Sequence, residues 1–225
     1  MGALEQMTAS DHIYRVIESR IALRELLPGD PIDEERLMEE FDVSRTPVRE
    51  AILKLKAEGF VSSISRRGVI VAKMDLQELL SVWELLAELE GIAARYACER
   101  MTNQERETLA NTHRSAQGVV ERNDEIGWQQ ANMAFHEVLY KGARNPYLHQ
   151  EILRMRVRTS AYRSHSFDAM GVIDKANRYH AQIVQAILGD DPQKAAKVAT
   201  AHLTPGVGAP DLKVMVHRLP KDWLA

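Results

Sequence analysis

Along most of the chain, apolar residues recur three and four positions apart, the spacing of helices that each bury one face. Ile13, Val16, Ile17, Ile21, Leu23 and Leu27 predict a first helix over His12–Leu27, stopped by Pro28-Gly29-Asp30-Pro31. Asp33 can cap a second helix with Leu37, Met38 and Phe41 as its short apolar face, before a break at Asp42-Val43. Ser44 can cap a third, in which Val48, Ala51, Ile52 and Leu55 form the buried stripe, with Arg45 and Arg49 together beside it and Gly59 at its end. The period then changes. FVSSISRRGVIVAK is two β-prone runs around Arg66-Arg67-Gly68, a hairpin with a basic tip. Three helices and a hairpin predict a winged helix-turn-helix over residues 8–73.

After residue 74 strand-type alternation is absent, so the chain reads as mainly α, with a second, all-α domain over 74–225. Asp75 with Glu78, and Thr102 with Glu105, have the spacing of capping boxes and open helices over about 75–100 and 102–122. Further helices are expected at about 125–143, 147–164, 173–188 and 192–203, punctuated by Asn145-Pro146, Gly189 and Asp191-Pro192. Thr204 to Pro210 must break regular structure, and 211–218 has the pattern of one more short helix, making a bundle of six to seven.

Composition narrows the class. With 45% apolar and 27% charged residues the chain has the balance of a folded, soluble protein. The single cysteine, Cys98, excludes an internal disulfide framework and a Cys-based zinc site. The start MGALEQMTAS lacks a basic-then-apolar signal pattern, and no run approaches the ~18 apolar residues that span a bilayer, so a cytoplasmic location without membrane insertion is expected. The net charge of −3 conceals an asymmetry. Residues 1–43 carry 4 Lys/Arg against 11 Asp/Glu, residues 44–73 carry 7 against 2, and the remainder is nearly balanced. A short basic segment in an acidic chain is what a small footprint on phosphate looks like, although chance produces such windows too.

That segment holds the residues suited to reading DNA. Arginine pairs bidentately with guanine O6 and N7, and Arg45 and Arg49 lie in the first turns of a helix that can enter the major groove. Thr46 can reach a phosphate or a base edge, while Arg66 and Arg67 at the hairpin tip can enter the minor groove or hold the backbone, with Gly68 allowing close approach. Two arginines four apart on a helix are more often a solvated face. Their setting decides between the readings. The run PGDPIDEERLMEEFDVSRTPVREAILKLKAEGFV, residues 28–61, resembles the signature of the GntR family of bacterial transcription regulators. The resemblance implies a winged helix-turn-helix in which Ser44, Arg45, Thr46, Arg49, Arg66, Arg67 and Gly68 occupy DNA-contacting positions. The chain departs from the pattern at Asp42, where glycine is usual, and at Glu34-Glu35, where some members carry a DNA-contacting arginine.

In the second domain the histidines carry the chemistry. Asn132 and His136 share a helix face at i and i+4, and His180 and His202 lie on two later helices, so three helices can supply ligands to one bundle-centre site. Taken singly, each histidine is more often a packed or surface residue. AELEGIAARYA at 87–97, NMAFHEVLY followed by Asn145-Pro146, HAQIVQAILGDD at 180–191 and AHL at 201–203 together resemble the FCD effector domain of the FadR-like GntR subfamily. That resemblance implies a divalent transition metal, zinc or nickel, on Asn132, His136, His180 and His202, a small carboxylate effector, and a homodimer on a pseudo-palindromic double-stranded operator. The neutral Asn132 gives the site less negative charge than an aspartate would. An effector carboxylate wants a cation, and Arg158 or Arg163, with the hydroxyl of Tyr162, are the candidates in the arginine-rich 147–164 segment.

The expected function is therefore a ligand-responsive transcription regulator, a repressor released by a small organic acid, and not an enzyme. A metal-dependent hydrolase or lyase built on the same histidines is the rival from another class. It lacks a base, because Glu137 points away from the face of His136. A third reading keeps the regulator but leaves the histidines metal-free.

Overall fold

Thr8 accepts the Asp11 amide and starts α1 (Ala9–Ala22), whose buried residues Ile13, Ile17 and Ile21 follow the predicted stripe. The computed structural model describes residues 7–64, 68–167, 172–210, 217 and 219–225. The helix ends one turn earlier than the pattern suggested, at Leu23, and Arg24 takes a left-handed backbone, φ 65°. Asp33 caps α2 (Glu34–Phe41) by accepting the amides of Glu35 and Arg36. Asp42 then turns left-handed, φ 50° and ψ 52°, the conformation that makes glycine usual at such a turn and that aspartate tolerates better than most residues. Ser44 stands at the N-cap of α3 (Arg45–Ala57) with extended backbone, but its hydroxyl makes no capping bond, contrary to the expected cap. Gly59, φ 75°, follows the end of that helix.

Strands β2 (Val61–Ile64) and β3 (Gly68–Val71) pair antiparallel in the register Ser62↔Ile70, forming the wing. A third strand that the sequence did not reveal, β1 (Pro31–Ile32), pairs with β3 at Ile32↔Val69 and gives the order β1-β3-β2. Two residues are too few to show alternation, and Pro31 reads as a breaker, although proline is tolerated in an edge strand. The helices and the sheet bury one core, including Ile17, Leu37, Val48, Ile52, Leu55, Phe60 and Val71. Truncating a fully buried side chain such as Leu55 to alanine costs about 2–5 kcal/mol.

Downstream lie α4 (Leu76–Arg100), α5 (Asn103–Ser115), α6 (Gln117–Glu121), α7 (Glu125–Gly142), α8 (Pro146–Arg158), α9 (Ser160–Phe167), α10 (Val172–Leu188) and α11 (Pro192–Leu203). The Thr102–Glu105 capping box forms in full, and Asp124 and Asp191 cap α7 and α11. Two expected helices are each split, 102–122 at Ala116 and 147–164 at Thr159, because apolar spacing continues across both breaks and gives no sign of them. The helix expected at 211–218 falls almost wholly outside the described residues, as do Arg66 and Arg67.

The chain forms two compact units. One is Met1–Leu79 with Arg156–Tyr162 and Leu219–Ala225; the other is Leu80–Met155 with Arg163–Arg218. The first unit thus recruits two segments that the linear reading assigned to the second domain. In the second unit, Gly91 lets α11 lie against α4, since a Cβ there would collide with Thr200 and stand 3.2 Å from the Ala196 carbonyl. The Trp83 indole N–H donates to the Leu203 carbonyl at 2.9 Å. Arg106 donates to the carbonyls of Cys98 and Ile187, each at 2.6 Å, closing the ends of α4 and α10 with one cation where helix dipoles favour it. Among the described residues no helix is long and apolar enough to cross a membrane.

Candidate DNA interface and candidate metal centre

The third helix is held from behind by α1. The Lys54 ammonium donates to Asp11 Oδ1 at 2.6 Å and to Ser10 Oγ at 3.0 Å, and the Tyr14 hydroxyl donates to Glu58 at 2.8 Å. The Lys54 hydrogen bond, with one from Thr8, lowers the Asp11 carboxyl from 3.8 to about 2. Burial and then the Glu58 carboxylate push the Tyr14 phenol upward, so it stays a donor. With one face fixed in this way, α3 presents Ser44, Arg45, Thr46 and Arg49 on its exposed side. Arg49 pairs through Nε with Glu34 at 3.3 Å, and Arg45 lies 4.0 Å from Glu35. The two acidic residues that depart from the family pattern thus lie beside the two candidate base readers. Gly68 opens β3 at φ 91° with open space around it, so left-handed backbone rather than crowding calls for glycine there.

In the second unit the bundle brings three of the four metal candidates together. His136 of α7, His180 of α10 and His202 of α11 each offer a ring nitrogen, and these atoms lie within 4.8 Å of one another. All three are buried, at 2%, 2% and 6% exposure. Phe135 stacks on His180 at a centroid distance of 4.1 Å, Trp128 lies 5.5 Å from the same ring, and Tyr179 flanks His202. This wall orients the imidazoles and keeps bulk water out. Asn132 sits one turn before His136 and is half-buried. Three buried imidazoles fit zinc or nickel, whereas magnesium and calcium ask for oxygen donors.

Three polar residues near this cluster were missed by the sequence reading. Glu90, 1% exposed, accepts the Tyr140 hydroxyl at 2.6 Å, and both reach Nδ1 of His136, at 3.4 Å from Glu90 and 3.1 Å from Tyr140. Asn177, three residues before His180 on α10, has a buried side-chain oxygen without a hydrogen-bond partner among the described residues. The i,i+4 spacing of His136 and Tyr140 was a usable signal, but Glu90 lies some fifty positions away and nothing local links it to a histidine.

The effector candidates divide between the units. Arg163 lies on α9 in the unit that holds the histidines. Arg158 and Tyr162 belong to the other, where Arg158 pairs with Glu78 at 2.6 Å and Tyr162 is fully buried, bonded to the Met74 amide and the Trp223 carbonyl. Glu137, the only base the enzyme reading offered, is engaged by Lys141 and His149.

The descriptions of two protein families match the chain. "Bacterial regulatory proteins, gntR family" covers residues 9–71, and "FCD domain" covers residues 81–205. The chain belongs to the GntR family, in the branch with an FCD domain. It is similar to the HTH-type transcriptional repressor RspR of Escherichia coli K12, at 25% identity over 86% of this chain and 85% of that one. It is also similar to the HTH-type transcriptional regulator LutR of Bacillus subtilis, at 28% identity over 80% and 91%. Among solved structures, E. coli McbR/YncC shares the fold with a TM-score of 0.73 and 19% identity, covering 94% of this chain and 95% of that one. This GntR protein is therefore a DNA-binding transcription regulator and not an enzyme, and its helical unit is of the type that senses a ligand.

Proposed function

We propose that this GntR regulator is a repressor that a small organic acid releases from DNA, with the acid bound beside a divalent metal in the helical unit. What carries the reading is the meeting of three buried imidazoles from three helices in a regulator of this family. His136, His180 and His202 would hold the ion, with the Asn132 oxygen as a fourth donor. When bound, zinc or nickel supplies a Lewis-acidic positive charge that attracts a carboxylate. Arg163, on α9 in the unit that holds the histidines, is a cationic candidate for the effector itself, and Asn177 is a candidate polar contact. Repression is supported by the name of one relative, RspR.

On the DNA side, Arg45 and Arg49 read bases, Ser44 and Thr46 position the helix, and Arg66, Arg67 and Gly68 at the wing contact the neighbouring groove. The protein acts as a twofold dimer on a pseudo-palindromic operator in the cytoplasm. A seam on α4 supports the dimer: Val82, Leu85, Leu89, Ile92 and Tyr96 alternate three and four apart, none is buried, and Leu85 is 47% exposed. The decisive experiment selects the operator from random duplexes, then titrates it at fixed salt with and without zinc and small carboxylates. Release by a carboxylate only when zinc is present is expected. Release that ignores zinc, in protein of verified metal content, would leave the metal-free regulator as the correct reading.

A further inference from the structure

We propose that Glu90 and Tyr140 are positioning residues for the metal centre, fixing His136 in the tautomer that carries its proton on Nδ1 and supplying the site's compensating negative charge. This rests on the metal reading above, but its first step is independent of it. The Tyr140 hydroxyl donates to Glu90 Oε1 at 2.6 Å, so its proton is committed and its oxygen faces Nδ1 of His136, 3.1 Å away, as an acceptor. The second carboxylate oxygen, Glu90 Oε2, stands 3.4 Å from the same nitrogen, also as an acceptor. Two acceptors on one ring nitrogen require a proton there. A neutral ring protonated at Nδ1 keeps its lone pair at Nε2, which becomes the metal-ligating atom.

The second step is electrostatic. The proposed ligands are three imidazoles and the Asn132 amide, and none of them brings negative charge. Among the described residues Glu90 is the one buried carboxylate in the molecule. A divalent ion in a buried site needs compensation, and here it arrives through the His136 ring, which a hydrogen-bonded carboxylate makes a better donor. Glu90 thereby does part of what an aspartate would do in place of Asn132. It reaches the site from α4, the helix that also carries the exposed seam, so the charge of the centre and the place of α4 are linked through one side chain.

The test uses full-length protein labelled with 15N at histidine, with and without zinc, in three forms: wild type, Glu90→Gln and Tyr140→Phe. Long-range 1H–15N spectra report each ring's tautomer, and competition with a chromophoric chelator reports zinc affinity. In the wild type, His136 is expected to be protonated at Nδ1 before zinc is added. Tyr140→Phe keeps that tautomer through Glu90 and loses a few-fold in zinc affinity. Glu90→Gln loses the tautomer preference and roughly 10–100-fold in affinity. A wild-type His136 protonated at Nε2, or a folded Glu90→Gln protein with wild-type zinc affinity, would overturn the proposal. If Glu90→Gln does not fold, the wild-type tautomer and Tyr140→Phe still decide the matter. The expected tautomers in a protein that binds no zinc would uphold the positioning step while refuting the charge role and the metal centre.

Discussion

Glu34 of α2 accepts the Nε–H of Arg49 from α3 at 3.3 Å, an ion pair between the two helices of the helix-turn-helix. Pairing through Nε fixes the guanidinium plane and leaves the two terminal nitrogens, the pair that matches guanine O6 and N7, for a base. Arg49→Ala, like Arg45→Ala, should weaken operator binding by about 1–3 kcal/mol, measured by titration at fixed salt. Unchanged affinity in either variant would remove that arginine from the base readers. Glu34→Gln should act differently. It removes a negative charge near phosphate and loosens Arg49, so affinity for unrelated duplex rises while the ratio of operator to unrelated binding falls. Because the pair is exposed and worth only about 0–1 kcal/mol, the fall should stay within roughly tenfold.

Metal content should follow the histidines. Purified wild type should retain zinc or nickel on elemental analysis, while His136→Ala and His180→Ala should lose it. Equal content in all three would refute the site. Ligand imidazoles must be deprotonated to bind, so metal affinity should fall as pH drops. An ion held at about 100 times its Kd would stabilise the native protein by about 2.7 kcal/mol, which a thermal-unfolding scan with and without chelator can read.

Different parts of the molecule were legible to different degrees. The α3 stripe of Val48, Ala51, Ile52 and Leu55 is a local signal, since it depends on spacing within one helix, whereas His136, His180 and His202 lie on three helices and were grouped through the resemblance to the FCD domain. The strand at Pro31–Ile32 and the breaks at Ala116 and Thr159 were not legible, because tertiary pairing and a helix interruption leave no mark on periodicity. The placing of Arg158 and Tyr162 was not legible for the same reason: a sequence shows that a segment is arginine-rich, not which unit it joins. Glu90 was invisible as a partner of His136 because two residues 46 positions apart meet only when α4 and α7 pack.

The acid limb of stability should carry the mark of Asp11. Its carboxyl is lowered to about 2 by the Lys54 hydrogen bond, so the folded state binds its proton less tightly than the unfolded chain does. Its contribution is present above the ordinary value of 3.8 and is lost as pH falls toward about 2. Carbon-detected NMR titration should find the midpoint near 2, and Lys54→Met should return it toward 3.8. A midpoint unmoved by that substitution would detach Asp11 from the support of α3.

The seam on α4 makes a prediction about assembly. Leu85 is 47% exposed within a three-four apolar stripe, a position where a second copy of the chain would bury it. Sedimentation should find wild type as a dimer and Leu85→Glu shifted toward monomer, with unchanged helicity by circular dichroism. A dimer that tolerates the glutamate would place the interface on another face.

Tyr162 ties three separate stretches of chain into the DNA-binding unit. Its hydroxyl accepts the Met74 amide at 3.1 Å and donates to the Trp223 carbonyl at 3.1 Å, while the Ala225 amide donates to the Met74 carbonyl at 3.1 Å. Met74 is the residue through which the wing leads into α4, so the C-terminal tail and the start of α9 brace that exit together. Tyr162→Phe keeps the ring and removes both bonds, leaving a buried amide unsatisfied. The expected loss is about 1–3 kcal/mol by urea unfolding at neutral pH. Burial also raises the Tyr162 phenol above its ordinary value of 10.0. The folded state therefore holds this proton longer than the unfolded chain does. The stabilisation is fully present below pH 10 and fades as pH climbs toward the raised value. Wild type should lose more stability than Tyr162→Phe between neutral and strongly alkaline pH, so that the two curves converge. Parallel curves would mean that the hydroxyl is not held in the folded protein, and the brace at Met74 would rest on the Ala225 amide instead.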